Sequence, residues 1–143
     1  GYAVSESAKP TQRAVFHFFV KRAAGAPGQG RHGNAFFVCG KGNTPKDLIE
    51  CRLYYGGRGS MMITGSHVEH VEEKIRFDRK AIYQLNVTVD CESRTVTFEV
   101  AGQKLTSRIT EPVDAITHYG YGGSNSANLT KNASARPVRD PNG

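Results

Sequence analysis

Two runs of strict alternation constrain this chain more than anything else in it. Tyr83, Leu85, Val87 and Val89 alternate with Gln84, Asn86, Thr88 and Asp90. After a short polar link at 91–93, Val96, Phe98 and Val100 alternate with Thr95, Thr97 and Glu99. Successive side chains on a strand point to opposite faces, so period two marks a strand with one buried side. Two such runs joined by a few polar residues predict a hairpin.

The same period recurs on both sides of it. Ala14, Phe16, Phe18 and Val20 alternate with Arg13, His17 and Lys21 among their neighbours, and a glycine- and proline-rich loop follows at 23–33. Residues 34–39 read as a strand through Phe36, Phe37 and Val38. In 47–55, Ile49, Cys51, Leu53 and Tyr55 share one face and Leu48, Glu50, Arg52 and Tyr54 the other. Strands are also expected at 60–64, 104–108 and 115–120. Residues 67–77 fit either a helical stripe (Val68, Val71, Ile75) or a strand, and the strand-rich surroundings favour the strand. Eight or nine short strands separated by turn residues predict an all-β antiparallel two-sheet sandwich.

The 143 residues suit one domain with a core of its own. Residues 1–127 are expected to form the sandwich. Residues 128–143, rich in Asn, Ala, Arg, Pro and Asp, offer little to bury and read as a polar tail or linker. No apolar run approaches the ~20 residues of a membrane helix, and no signal-peptide pattern opens the chain. Cys39, Cys51 and Cys91 are three, so one internal disulfide is the most they can form; Cys39 and Cys51 are the pair to consider if their strands are neighbours.

At the hairpin the sequence resembles a known superfamily. Residues 83–90 (YQLNVTVD) and 95–105 (TVTFEVAGQKL) resemble the central hairpin of concanavalin-A-like and laminin-G-like sandwiches, and the glycine-rich 116–123 (ITHYGYGG) is similar to a late strand of that superfamily. Ala101 departs from the pattern, standing where many relatives carry an acid before the turn glycine. The resemblance implies a concanavalin-A-like jelly roll. Its members include lectins, glycoside hydrolases, polysaccharide lyases and adhesion modules, so it does not choose a function.

The side chains lean toward binding. Glycoside hydrolysis needs two carboxyl groups flanking one bond, yet Glu50 has Arg52 and Tyr54, not an acid, at its next same-face positions. A lyase would need a base beside a charge-neutralising cation, which Arg52, Tyr54, His17 and His118 would supply only if the fold gathered them. His67 and His70 share a metal on a helix but not on a strand. Calcium would call on Asp114, Asn125 and a 120–127 loop, without the dense acids that calcium loops usually hold. No basic run or recognition motif points to nucleic acid.

The expected binding surface comprises Glu50, Arg52 and Tyr54, Arg58 in the turn that follows, and His118 and Tyr121 in the glycine-rich stretch. Tyrosine offers a sugar its ring, and arginine offers sulfate or carboxylate a planar fork. A net charge of +6 suits an anionic partner. The reading is a non-catalytic module for polysaccharide, with sulfated or uronic-acid polymers favoured, in a larger secreted or periplasmic protein. A hydrolase or lyase domain and a protein-interaction module are the alternatives.

Overall fold

The alternation at 83–100 forms the hairpin it predicts, at the heart of one of two antiparallel sheets. In this computed structural model residues 2–22, 33–54, 59–76, 82–125, 127–129 and 134–137 are described, with side chains over 12–17, 36–54, 59–76 and 83–122. In chain order the strands are β1 (Tyr2–Thr11), β2 (Arg13–Arg22), β3 (Gly33–Gly40), β4 (Leu48–Tyr54), β5 (Ser60–Gly65) and β6 (Val71–Lys74). They continue with β7 (Ile82–Asp90), β8 (Thr95–Val100), β9 (Gln103–Arg108), β10 (Ile116–Asn125), β11 (Ala127–Leu129) and β12 (Ser134–Pro137). A 3-10 turn at Pro45–Asp47 leads into β4. Sheet A runs β1-β10-β3-β4-β5-β6. Sheet B runs β11-β2-β7-β8-β9, with β12 also on β2. Neighbours far apart in sequence, such as β2 with β7 and β10 with β3, give the jelly-roll sandwich.

The core is what the alternation selects. Leu85, Val87, Val89, Val96 and Phe98 are fully buried on sheet B, facing Phe37, Cys39, Ile49, Cys51, Leu53, Met61 and Ile63 on sheet A. Phe16 links the layers: its ring centroid lies 4.5 Å from that of Phe37 and 5.7 Å from that of Tyr119. Such tilted aromatic pairs add to the burial of their area. The side chain of Phe18 and the whole of Tyr55 lie outside the described residues.

Residues 67–76 join the sheets instead of forming one clean strand, and Phe77 lies outside the described residues. β6 covers only part of the range, pairing with β5. Before it, Val68 bridges Ile109, Glu69 N–H donates to Arg108 O at 2.9 Å, and Thr110 N–H donates to His67 O at 2.7 Å. Two further differences concern backbone pairing. β1 extends sheet A along β10, and the range expected as a polar tail supplies most of β11 and all of β12, both paired with β2. Strand edges are satisfied by backbone groups, so a segment poor in apolar residues still adds to a sheet.

The strands of Cys39 and Cys51 do pair, but Cys39 sits opposite Ile49 and Cys51 opposite Phe37. That diagonal places Cα atoms ~7–8 Å apart, beyond ordinary disulfide reach. All three cysteines are free. Burial pushes the Cys39 and Cys51 thiols well up; burial, Asp90 and Asp114 together raise Cys91 to about 11.

The β8–β9 turn carries strain. Ala101 has φ 51° and Gly102 φ 77°, the two left-handed residues of a two-residue hairpin closed by Val100 and Gln103. An L-residue with a Cβ pays ~1–2 kcal/mol in that region, and asparagine is tolerated there best after glycine. Ala101→Asn is therefore expected to stabilise the protein by about 1 kcal/mol in urea titration; a loss of stability would contradict this turn geometry.

Candidate functional site

The outward face of sheet A follows from its register. In β4 the inward residues Ile49, Cys51 and Leu53 are completely buried, which turns Leu48, Glu50, Arg52 and Tyr54 outward. Pairing across the sheet then lays out rows. Gly122, Phe36, Arg52, Met62 and Glu72 follow one another from β10 to β6. Gly120, Val38, Glu50 and Thr64 make the next row, and Tyr54, Ser60 and Lys74 flank the first on its other side.

This face is not simply wetted. Phe36, Val38 and Leu48 are buried and form an apolar cluster of their own, separate from the main core. Arg52 lies against it, its guanidinium carbon 5.6 Å from the centre of the Phe36 ring, within cation–π range. Arg52 Nη2 donates to Glu50 Oε1 at 2.7 Å, a charge-assisted bond between residues two apart on one strand face. Glu50 is the more sheltered partner, with 19% of its side chain exposed against 36% for Arg52. Arg52 Nε is buried and finds no hydrogen-bond partner among the described residues. The guanidinium thus has a ring on one side and a carboxylate at one nitrogen, while part of the side chain stays open to solvent.

Of the residues expected at a site, Glu50, Arg52 and Tyr54 do share this face. Arg58 lies outside the described residues. His118 and Tyr121 cannot act together: three apart on one strand, they point to opposite sides. Tyr121 sits opposite Phe37 and packs, half-buried, against the main core, on the other side of β10 from His118. His118 is half-buried, its Nδ1 2.8 Å from Thr117 Oγ1, beside Gly40 at the far end of the face. Met62, Thr64, Glu72 and Lys74 also belong to the face; their even numbering within 60–65 and 71–74 is a signal in the sequence, but only register ties it to β4.

The arrangements considered for chemistry do not assemble. His17 lies on β2 of sheet B, bonded to Asn86, while Arg52 and Tyr54 face out from sheet A, so the four lyase candidates lie on opposite sides of the sandwich. His67 is buried with Nδ1 3.1 Å from Glu111 Oε2, close but not aligned as a hydrogen bond. His70 is exposed and pairs with Glu72 at 3.6 Å, so the two histidines do not converge. The 120–127 range expected as a calcium loop is largely strand β10, and among the described residues no three His, Cys, Asp or Glu side chains gather around one point.

No protein-family model matches the sequence, and comparison with curated protein sequences finds no match. Solved structures do match. Galectin-Ib of Xenopus laevis superposes with a TM-score of 0.68 at 14% identity, covering 95% of this chain and 100% of that one. A toad ovary galectin in complex with thio-digalactose gives 0.67 at 7%, covering 94% and 98%. The carbohydrate-binding module CBM66 of Bacillus subtilis gives 0.60 at 13%, covering 96% and 80%. At such identities the likeness is one of fold alone: an antiparallel two-sheet jelly-roll sandwich.

Proposed function

We propose that this chain is a non-catalytic carbohydrate-binding module that takes its ligand on the outward face of sheet A. The observation that carries the reading is Arg52, set against the Phe36 ring and bonded to Glu50 on the outward face, with part of its side chain open to solvent. A fixed guanidinium beside a carboxylate serves a sugar well, because one hydroxyl accepts from the first while its neighbour donates to the second. The fold supports the reading, since the matching structures include a galectin holding thio-digalactose and a carbohydrate-binding module.

The net charge of +6 adds a preference for sulfated or uronic-acid polymers. At Arg52 an acidic group competes with Glu50, so the pair reads hydroxyls and the wider positive field draws the polymer. Arg58, four residues beyond Tyr54, is assigned to the same surface from sequence, and a secreted or periplasmic setting fits such ligands.

A glycan array at low and physiological salt, followed by calorimetry, tests this. Binding to acidic glycans is expected to weaken with salt. Arg52→Lys keeps the charge but loses the fork, and should lower affinity about tenfold or more, the worth of a charged hydrogen bond, with the melting temperature nearly unchanged. Affinity indifferent to Arg52→Lys and to Arg58→Ala would remove the site from this face. Cleavage of a glycan would favour the hydrolase or lyase reading.

A further inference from the structure

The opposite side of the sandwich carries a second polar constellation, unrelated to Arg52. On the outward face of sheet B, register sets His17, Asn86, Glu99 and Lys104 in one row across β2, β7, β8 and β9. Beside this row opens a cavity of about 340 Å³, lined by Gln84, Asn86, Glu99, Gln103 and Lys104 and walled by Val100, Ala101 and Gly102. That volume falls at the lower end of the ~300–1,000 Å³ of small-molecule sites.

Its groups are committed in a definite way. Asn86 Oδ1 meets His17 Nδ1 at 2.5 Å and accepts from Gln84 Nε2 at 3.0 Å. Both bonds fall on the oxygen of Asn86, which leaves its NH2 as a donor and the oxygen of Gln84 as an acceptor. Glu99 and Lys104 stand 3.9 Å apart, a loose pair with most of the lysine exposed, so each retains capacity for another partner. Gln103 Nε2 donates to the backbone oxygen of Lys74 at 3.3 Å, fixing one wall to sheet A. The left-handed Ala101–Gly102 turn closes the end.

We infer that this cavity is a second ligand site, for a neutral sugar of one or two rings. One carboxylate and one ammonium cancel, so the lining does not select an ion. Donors and acceptors interleave, which suits hydroxyl groups, each of which donates and accepts at once. Ala101, exposed in the turn, offers a small apolar wall for ring C–H groups. The site does not depend on the role assigned to sheet A. With both faces occupied, one chain would hold two glycans on opposite sides.

Amide shift mapping of the intact chain by NMR, titrated with lactose, cellobiose and sucrose, tests the inference. Saturable shifts confined to 84–86 and 99–104 are expected with at least one of the three. Asn86→Ala and Lys104→Ala should each weaken that binding about tenfold, while Arg52→Lys leaves it unchanged. The exposed Lys104 variant keeps the test valid if Asn86→Ala disturbs the sheet. Absence of saturable shifts at these residues with all three sugars would overturn the site, as would shifts that persist unaltered in both variants. Loss of Arg52-dependent binding alone would overturn only the sheet A reading.

Discussion

Replacing Phe98 with alanine is expected to cost about 3–5 kcal/mol, the range for deleting a buried aromatic ring. Phe98 is fully buried, opposite Val87 on one side and Leu105 on the other, with Val96 and Val100 along its own strand. Its neighbours lie on three strands of one sheet, so they cannot close in on the gap together, which places the cost in the upper part of the range. Total stability of ~5–15 kcal/mol makes this a large fraction. Thr97, one residue away, is the control: it faces outward between Thr88 and Thr106, and Thr97→Ala should stay within ~0.5 kcal/mol. Chemical denaturation of both variants is the measurement. Costs of similar size would mean the register is wrong, because a slip of one residue exchanges the two faces.

The contrast between Phe98 and Thr97 also shows why this part of the fold was legible in sequence. Where one face is buried and the other wet, alternation encodes both strand and facing, as in β7, β8 and β4. β1 lacks that pattern: Ser5, Glu6, Ser7, Lys9 and Pro10 give no apolar face, and it is placed by backbone pairing with β10. β12 is placed on β2 in the same way, from a range whose composition reads as a tail. Composition reports what a segment can bury, and backbone hydrogen bonds leave no trace in it.

The sites divide along the same line. Glu50, Arg52 and Tyr54 were within reach because they sit on a single strand in phase. His118 and Tyr121 were grouped by nearness in the chain, where strand parity separates them, and Tyr121 proves to pack on the core. Asn86, Glu99 and Lys104 alternate plainly in sequence, yet their meeting depends on the pairing of β7 with β8 and of β8 with β9. A site spread over three strands becomes visible only once register is known.

Register in sheet A rests on a close approach at Gly40, and Gly40→Ala is expected to destabilise the protein by about 3 kcal/mol or more, at or above the usual range for overpacking. Gly40 ends β3, paired with Leu48 of β4 and His118 of β10. The connection from β3 to β4 folds back through the 3-10 turn, and Lys41 N–H donates to Asp47 O at 3.4 Å. A Cβ on residue 40 would overlap that same oxygen outright and lie 3.0 Å from Asp47 C and 3.2 Å from Leu48 Cα. All three are backbone atoms, so no side-chain rotation relieves the clash; the turn or the start of β4 has to move. Glu50 and Arg52 follow within four residues of Leu48, so the displacement should reach the sheet A face and weaken ligand binding along with the fold. Phe98→Ala, in the other sheet, should reduce stability without altering affinity of the molecules that remain folded. Denaturation and calorimetry on the two variants separate these effects. A Gly40→Ala protein within ~1 kcal/mol of the parent, with binding intact, would show that the turn does not press on β3 as described.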